Sequence, residues 1–206
     1  MPRYYRSSRM ILPASRELMD VETLVREVEA TPVEVDRDVS AGSPWAPVKE
    51  RIWELVPGVW LQLLEDPYSR SVATVVFGSD EARTAQWIEM LQEFLEPVQD
   101  EELLGAAGTT SIEEDRALAV LRAGFGSPHD FDERFFAVVR CALEDGSTLI
   151  RTAGIRATMY SFWPQYRELL HRLTMEDPDP DLRYEAGLIA DAPLDQYGIS
   201  LEKELP

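Results

Sequence analysis

Two passages of this chain echo one another. Glu144 opens EDGSTLIRTAGIRA and Glu176 opens EDPDPDLRYEAGLIA, each an acidic turn that leads into a run with helical spacing. Asp145 aligns with Asp177 and Arg151 with Arg183, both pairs 32 positions apart. A period of that size marks stacked helix pairs, because one pair buries its apolar face only against a neighbour. The turn residues agree. Asp145-Gly146-Ser147 and Asp177-Pro178-Asp179-Pro180 each stop one helix and offer side-chain oxygens to cap the next.

The segments around these turns have the period of helices. Tyr166, Leu169, Leu170 and Leu173 fall at i, i+3, i+4 and i+7, a stripe on one helix face. Leu182, Ala186, Ile189 and Ala190 make a second stripe. Ile150, Ala153, Gly154 and Ala157 make a third, of small residues that let a neighbouring helix come close. Upstream, Phe131, Phe135, Val138, Val139 and Ala142 predict a helix ending near Glu144, and Leu118, Leu121 and Phe125 one starting near Glu113. Asp115-Arg116-Ala117 is a fainter third echo. The reading is five helices from Glu113 to Asp191.

Residues 113–191 resemble HEAT-like repeats, the short helical-hairpin type. The matching pattern is an acidic turn followed by a helix with an early Arg and small apolar residues. It is carried by Asp145, Arg151 and Ala153, then by Asp177, Arg183 and Ala186. Trp163, Pro164 and Tyr166 are bulkier than such units usually carry, and the last unit shows no obvious second helix. The resemblance implies a helical array with a partner-binding surface and no chemistry of its own. An ordinary helical bundle with two similar turns is the alternative.

The first half has a different texture. From Arg16 to Ala30, Leu18, Val21, Val25 and Val28 recur at helical spacing, and Thr31-Pro32 stops the helix. Val33 to Val39 alternates strictly, with Glu34, Asp36 and Asp38 on the polar side of a half-buried strand. Carboxylates two apart on one strand lie about 7 Å apart, too far to enclose a cation unaided. Residues 51–56 fit a strand or a short helix. A strand is favoured, because Pro57-Gly58 then turns it into a hairpin with Val59–Leu64. Ser71–Phe77 is β-branched and apolar, a central strand. Gly78-Ser79-Asp80 breaks the sheet and caps a helix over 81–95, where Trp87, Ile88, Leu91, Phe94 and Leu95 form a broad apolar face.

The expected class is therefore α+β. An N-terminal antiparallel meander with covering helices occupies residues 1–98, a linker 99–112, and a helical array 113–206. A chain of 206 residues suits one large or two small domains.

The formal net charge is −18. Such a surface repels phosphate backbones, which disfavours nucleic acid, and attracts basic proteins at long range. Residues 1–16 are the exception, with Arg3, Arg6, Arg9 and Arg16 and no acidic residue. A basic arm on an acidic body folds back onto that body or docks on another subunit, so self-assembly through the arm is one reading. The single cysteine, Cys141, excludes an intrachain disulfide and reads as a buried structural thiol. No stretch approaches the roughly 20 apolar residues that span a bilayer, and no apolar run follows the basic start. A cytoplasmic protein without membrane contact is expected.

Catalytic signatures are sparse. His129, Asp130, Asp132 and Glu133 stand close together and could ligate a metal, which would make an enzyme or metal-binding protein. The same letters describe a helix start with Asp130 as cap. His171 follows Leu169 and Leu170 and is expected at a helix surface or boundary. G-x-S-x-G, H-E-x-x-H and the dinucleotide glycine fingerprint do not occur in the chain. No cofactor and no metal is expected. The leading expectation is a non-catalytic module that binds a basic protein, in the manner of a bacterial immunity protein against a toxin. Its candidate contacts are Glu176, Asp177, Asp179 and Asp181, with Trp163 and Tyr166 as aromatic anchors.

Overall fold

Ser71–Gly78 (β6) is the strand around which the first half assembles, and its apolar run dictates this. In the computed structural model, which describes residues 4–15, 18–33, 49–161 and 163–191, β6 pairs on one side with Val59–Asp66 (β5). On its other side lie two short strands, Tyr5–Arg6 (β1) and Met10–Ile11 (β2). Lys49–Val56 (β4) pairs with β5, and Thr31–Val33 (β3) closes the far edge. All pairings are antiparallel, in the order β1-β6-β5-β4-β3 with β2 also on β6. Residues 51–56 are thus strand. Of the alternating run 33–39, only its first residue falls within the described residues.

Both faces of the central strands are buried, which is why β5 and β6 read as nearly unbroken apolar runs. Val59, Leu61 and Leu63 point to a core shared with Val21, Leu24 and Val25 of Leu18–Glu27 (α1) and Leu91 and Leu95 of Glu81–Leu95 (α2). Trp60, Gln62 and Leu64 point the other way and are buried as well. There Trp60 stacks on Phe77 at 5.6 Å and Tyr4 leans on Trp60 at 6.0 Å. Asp80 caps α2 by accepting the Arg83 N–H.

The N-terminal segment is held by side chain as well as backbone. Its register against β6 shifts by one residue between the pairs Arg6–Phe77 and Met10–Thr74, a bulge. Ser7 closes it: the Ser7 N–H donates to the Val76 carbonyl at 2.8 Å and the Val76 N–H donates to Ser7 Oγ at 3.0 Å. Met10, Ile11 and Leu12 are buried.

The second compact unit begins at Asp100. The passage read as a linker is a helix, Asp100–Thr109 (α3). Asp100, Glu101 and Glu102 crowd its first turn, where the positive end of the helix favours them. Gly105 and Gly108 face open space, so they do not interrupt it. Then follow Glu113–Gly126 (α4), Glu133–Leu143 (α5), Thr148–Ser161 (α6), Tyr166–Glu176 (α7) and Pro180–Ala190 (α8). The five helices from Glu113 onward are those expected, and α3 makes them three pairs: α3/α4, α5/α6 and α7/α8. Within the unit α4, α6 and α8 pack in succession, as do α3, α5 and α7.

Small residues set the closest of these contacts. A Cβ on Gly124 of α4 would lie 2.6 Å from the Ala157 Cβ of α6. One on Gly154 of α6 would lie 2.9 Å from the Leu143 backbone nitrogen at the end of α5. The face of α5 that meets these helices is Phe135, Val139, Ala142 and Leu143. Cys141 lies on the opposite side and is exposed, not buried as the neighbouring valines suggested.

The signs of two effects separate at Gly124. At an open helical site Gly→Ala gains about 1 kcal/mol of helix propensity. At Gly124 the added methyl meets Ala157, and overpacking of this kind costs about 1–3 kcal/mol. Gly124→Ala is expected to lower the urea midpoint of the helical transition; an unchanged or raised midpoint would show that α4 and α6 are not in tight contact.

Candidate functional site

The repeated turn has a structural cause, and it lies in Asp177. This residue is 3% exposed. Its carboxylate accepts Arg151 Nε at 2.7 Å and Arg151 Nη2 at 3.1 Å, a two-pronged pair between α6 and the α7–α8 turn. It also accepts the Asp179 N–H at 2.8 Å. Arg151 is equally enclosed, and its Nη1 donates to the carbonyls of Asp145 and Gly146, 3.0 Å each.

The preceding turn uses the same parts. Asp145 accepts the Ser147 N–H at 2.9 Å and is paired with Arg116 of α4. The following rung repeats half of it: Arg183 Nη1 donates to the Asp177 carbonyl at 2.6 Å, as Arg151 does to that of Asp145. In each case an Arg six positions after the Asp ties down its own turn. Arg151 also reaches the carboxylate of the next turn, and Arg116 of α4 reaches that of Asp145. The 32-residue echo is therefore a ladder of Arg–Asp pairs that fixes the spacing of successive helix pairs.

The electrostatics follow. Burial alone would raise the Asp177 carboxyl. The hydrogen bonds from Arg151 and the Asp179 N–H, with the charges of Arg151 and Arg183, outweigh it and hold the group below the usual carboxylate range. Arg151 is pushed up by the Asp177 hydrogen bond against its own desolvation.

The candidate contacts separate on this geometry. Trp163 and Tyr166 are buried, at 4% and 2% exposure, so neither is an exposed anchor. They stack on each other at 5.7 Å, and Phe131 and Phe136 complete the cluster. Trp163 Nε1 donates to the His129 carbonyl at 3.1 Å. Burial pushes the Tyr166 phenol well above its usual range, so it stays protonated. Asp177 is likewise withdrawn from any partner. Glu176 and Asp181 are exposed. Asp179 is half-buried and caps α8 by accepting the Asp181 N–H at 2.9 Å. Three carboxylates of the proposed set thus stand around a fourth that is locked.

The His129–Glu133 run is a helix start. Asp132, not Asp130, is the cap of α5, accepting the Arg134 N–H at 2.8 Å. Its carboxylate is also held by the Arg134 guanidinium, whose hydrogen bonds lower it below the usual range against the opposing effect of burial. Arg134 in turn reaches Asp100 of α3 at 2.9 Å. Among the described residues no three His, Cys, Asp or Glu side chains converge as a metal site would need. No described helix is long and apolar enough to cross a membrane.

The sequence reading passed over the outer side of α8. Tyr184 is 68% exposed and Leu188 40%. With Arg183, Gly187 and Asp191 they line an open concavity. The signal was present, since Tyr184 and Leu188 sit four apart and off the stripe of Leu182, Ala186 and Ala190. No family model, no curated protein and no solved structure matches the chain.

Removing one partner of a buried ion pair leaves an uncompensated charge and typically costs about 3–5 kcal/mol. Asp177→Ala is expected to destabilise the helical unit by that amount at neutral pH. Because the native carboxyl is lowered, the unfolded chain takes up the proton first as pH falls. The stabilisation is complete above the ordinary value of 3.8 and is lost below it as pH drops through the native value. The gap between wild type and Asp177→Ala, followed by denaturant titration at stepped pH, should be flat above that value and narrow below it.

Proposed function

We propose that the protein is a non-catalytic binding module for a basic protein surface. An immunity-type inhibitor of a basic toxin is one concrete form of this. The supporting observation is the α7–α8 turn, where Asp177 is fixed by Arg151 while Glu176, Asp179 and Asp181 surround it with their carboxylates exposed or half-exposed. A turn already ordered in the free protein loses little conformational freedom on docking, so more of the contact energy appears as affinity. The net charge of −18 would steer a cationic partner and speed its encounter. A HEAT-like array is the scaffold in this reading, with Trp163 and Tyr166 supporting it from within.

Glu176 and Asp181 are the residues to reverse, because neither caps a helix nor belongs to the ladder. The partner would be captured on the tagged full chain from nuclease-treated extract of its own source and eluted by rising salt. One basic protein at near-equal stoichiometry is expected. With that protein in hand, Glu176→Lys/Asp181→Lys should slow association roughly tenfold or more and flatten its salt dependence. An association rate unmoved by the double reversal would sink this assignment of the contact surface.

A further inference from the structure

The ladder holds the α3–α4, α5–α6 and α7–α8 turns side by side, through Arg116 on Asp145 and Arg151 on Asp177. An exposed aliphatic side chain stands at each of them. Ile112 precedes α4 and is 57% exposed, Leu149 lies in the first turn of α6 at 42%, and Met175 lies in the last turn of α7 at 81%. Met175 is the most exposed large apolar side chain described.

Counted from the ladder Arg, two of the three occupy positions where the other turns carry polar groups. Ile112 lies four positions before Arg116, as Ser147 lies before Arg151 and Asp179 before Arg183. Ser147 Oγ accepts the Ile150 N–H at 3.4 Å, and Asp179 accepts the Asp181 N–H at 2.9 Å. Ile112 fills the cap position of α4 and makes no such bond. Leu149 lies two positions before Arg151, where Glu114 precedes Arg116 and Asp181 precedes Arg183. A helix start prefers an oxygen at its cap and a carboxylate in its first turn. Both aliphatics are therefore poorer choices for the fold than the residues at the matching turns, and neither is buried in return.

The borders of the row are acidic. Glu113, Glu144 and Glu176 are exposed beside its three turns, with Glu144 shared with Arg172 of α7 at 2.7 Å. The three ladder arginines are bonded inward and leave this border uncompensated. We infer that the row of turns is a docking surface for a basic amphipathic helix of a partner protein. This rests on the binding reading above and names the chemistry of the partner. Packed helices stand about 8–10 Å apart, and seven residues of a helix rise about 10.5 Å. A helix laid along the row thus brings one apolar side chain to each turn at i, i+7 and i+14, with Lys or Arg on either side facing the carboxylates. A second copy of this chain fits poorly, since at a net charge of −18 it would set carboxylates against carboxylates.

Fluorescence anisotropy on the full chain at about 0.15 M salt tests this, with a labelled lysine-rich peptide of about 20 residues carrying leucines at i, i+7 and i+14. A scramble of the same composition is the control. The ordered peptide is expected to bind roughly tenfold or more tightly than the scramble. Ile112→Ser/Leu149→Glu installs the groups that the other turns carry and adds a negative charge, so its urea midpoint should hold or rise. The ordered peptide should nonetheless bind this variant roughly tenfold or more weakly. Side chains that served the fold alone would give the reverse, a lowered midpoint with affinity unchanged. Equal binding of the two peptides overturns the docking row, as does a double variant that binds like wild type, or no affinity for either peptide. A wild-type dimer that the double variant abolishes assigns the row to a second copy and overturns it too. The basic-partner reading stands or falls separately, on the captured protein and the Glu176→Lys/Asp181→Lys reversal.

Discussion

The helical unit depends on the pairing of Arg151 with Asp177. Both side chains are almost fully enclosed, at 7% and 0% exposure. Taking two charges out of water is expensive, and their attraction repays it only where geometry is good and the remaining donors and acceptors are used. Here they are used. Arg151 spends two donors on the carboxylate and another on two carbonyls, while Asp177 also takes a backbone N–H. Replacing such a pair by apolar residues of equal volume is often neutral. Its value is therefore best sought in registry. An apolar seam between α6 and α8 would allow sliding, and a two-pronged bond to one turn allows a single height. Gly124 and Gly154 act in the same sense, since contacts that close exist only at one register.

The sheet unit solves a different problem. Its central strands are apolar on both faces, so both faces and both edges need cover. α1 and α2 cover one face, and the N-terminal segment covers the edge of β6. That segment carries arginines, which would be costly on a strand buried on both sides. The bulge between Arg6 and Met10 changes which side chains point inward, and it sets Met10 and Leu12 into the core. Ser7 makes this tolerable by supplying from its hydroxyl the acceptor that the bulged backbone withholds. A second bulge, at Leu55 between the pairs Glu54–Trp60 and Val56–Val59, keeps Leu55 in the core.

What was legible in the sequence was what periodicity controls. The meander, its hairpin at Pro57-Gly58, helix α2 and the five helices from Glu113 follow from spacing and turn residues, because burial of one face writes itself into every third or fourth position. What was illegible was decided by contacts distant in sequence. Asp177 and Asp179 are the same letter two positions apart, and only Arg151, from another helix, makes one a buried ligand and leaves the other a cap. Trp163 and Tyr166 are aromatics at a helix start, a pattern shared by interface anchors and by core. Phe131 and Phe136 bring them inside. Asp130 and Asp132 both suit a cap, and the helix begins after the second. Residues 99–112 looked like a linker because glycine and acidic residues dominate, yet Leu103 is buried and Arg134 is bonded to Asp100, enough to hold a helix that composition alone would not predict.

The ladder also has a direction, and its ends differ. Arg151 alone does both, tying its own turn and reaching the Asp of the next, while Arg116 pairs with Asp145 of the following turn and Arg183 with a carbonyl of its own. The sequence obeys this. Six positions before Arg116 stands Thr110 rather than Asp, and no earlier rung requires a carboxylate there. Arg183 closes the series on the Asp177 carbonyl, a neutral acceptor, where Arg116 and Arg151 each engage a carboxylate of the following turn. Within the described residues the two ends of the ladder therefore differ, the first Arg reaching forward to a carboxylate and the last reaching back to a carbonyl. Polarity of this kind is a consequence of building from a repeated one-way contact.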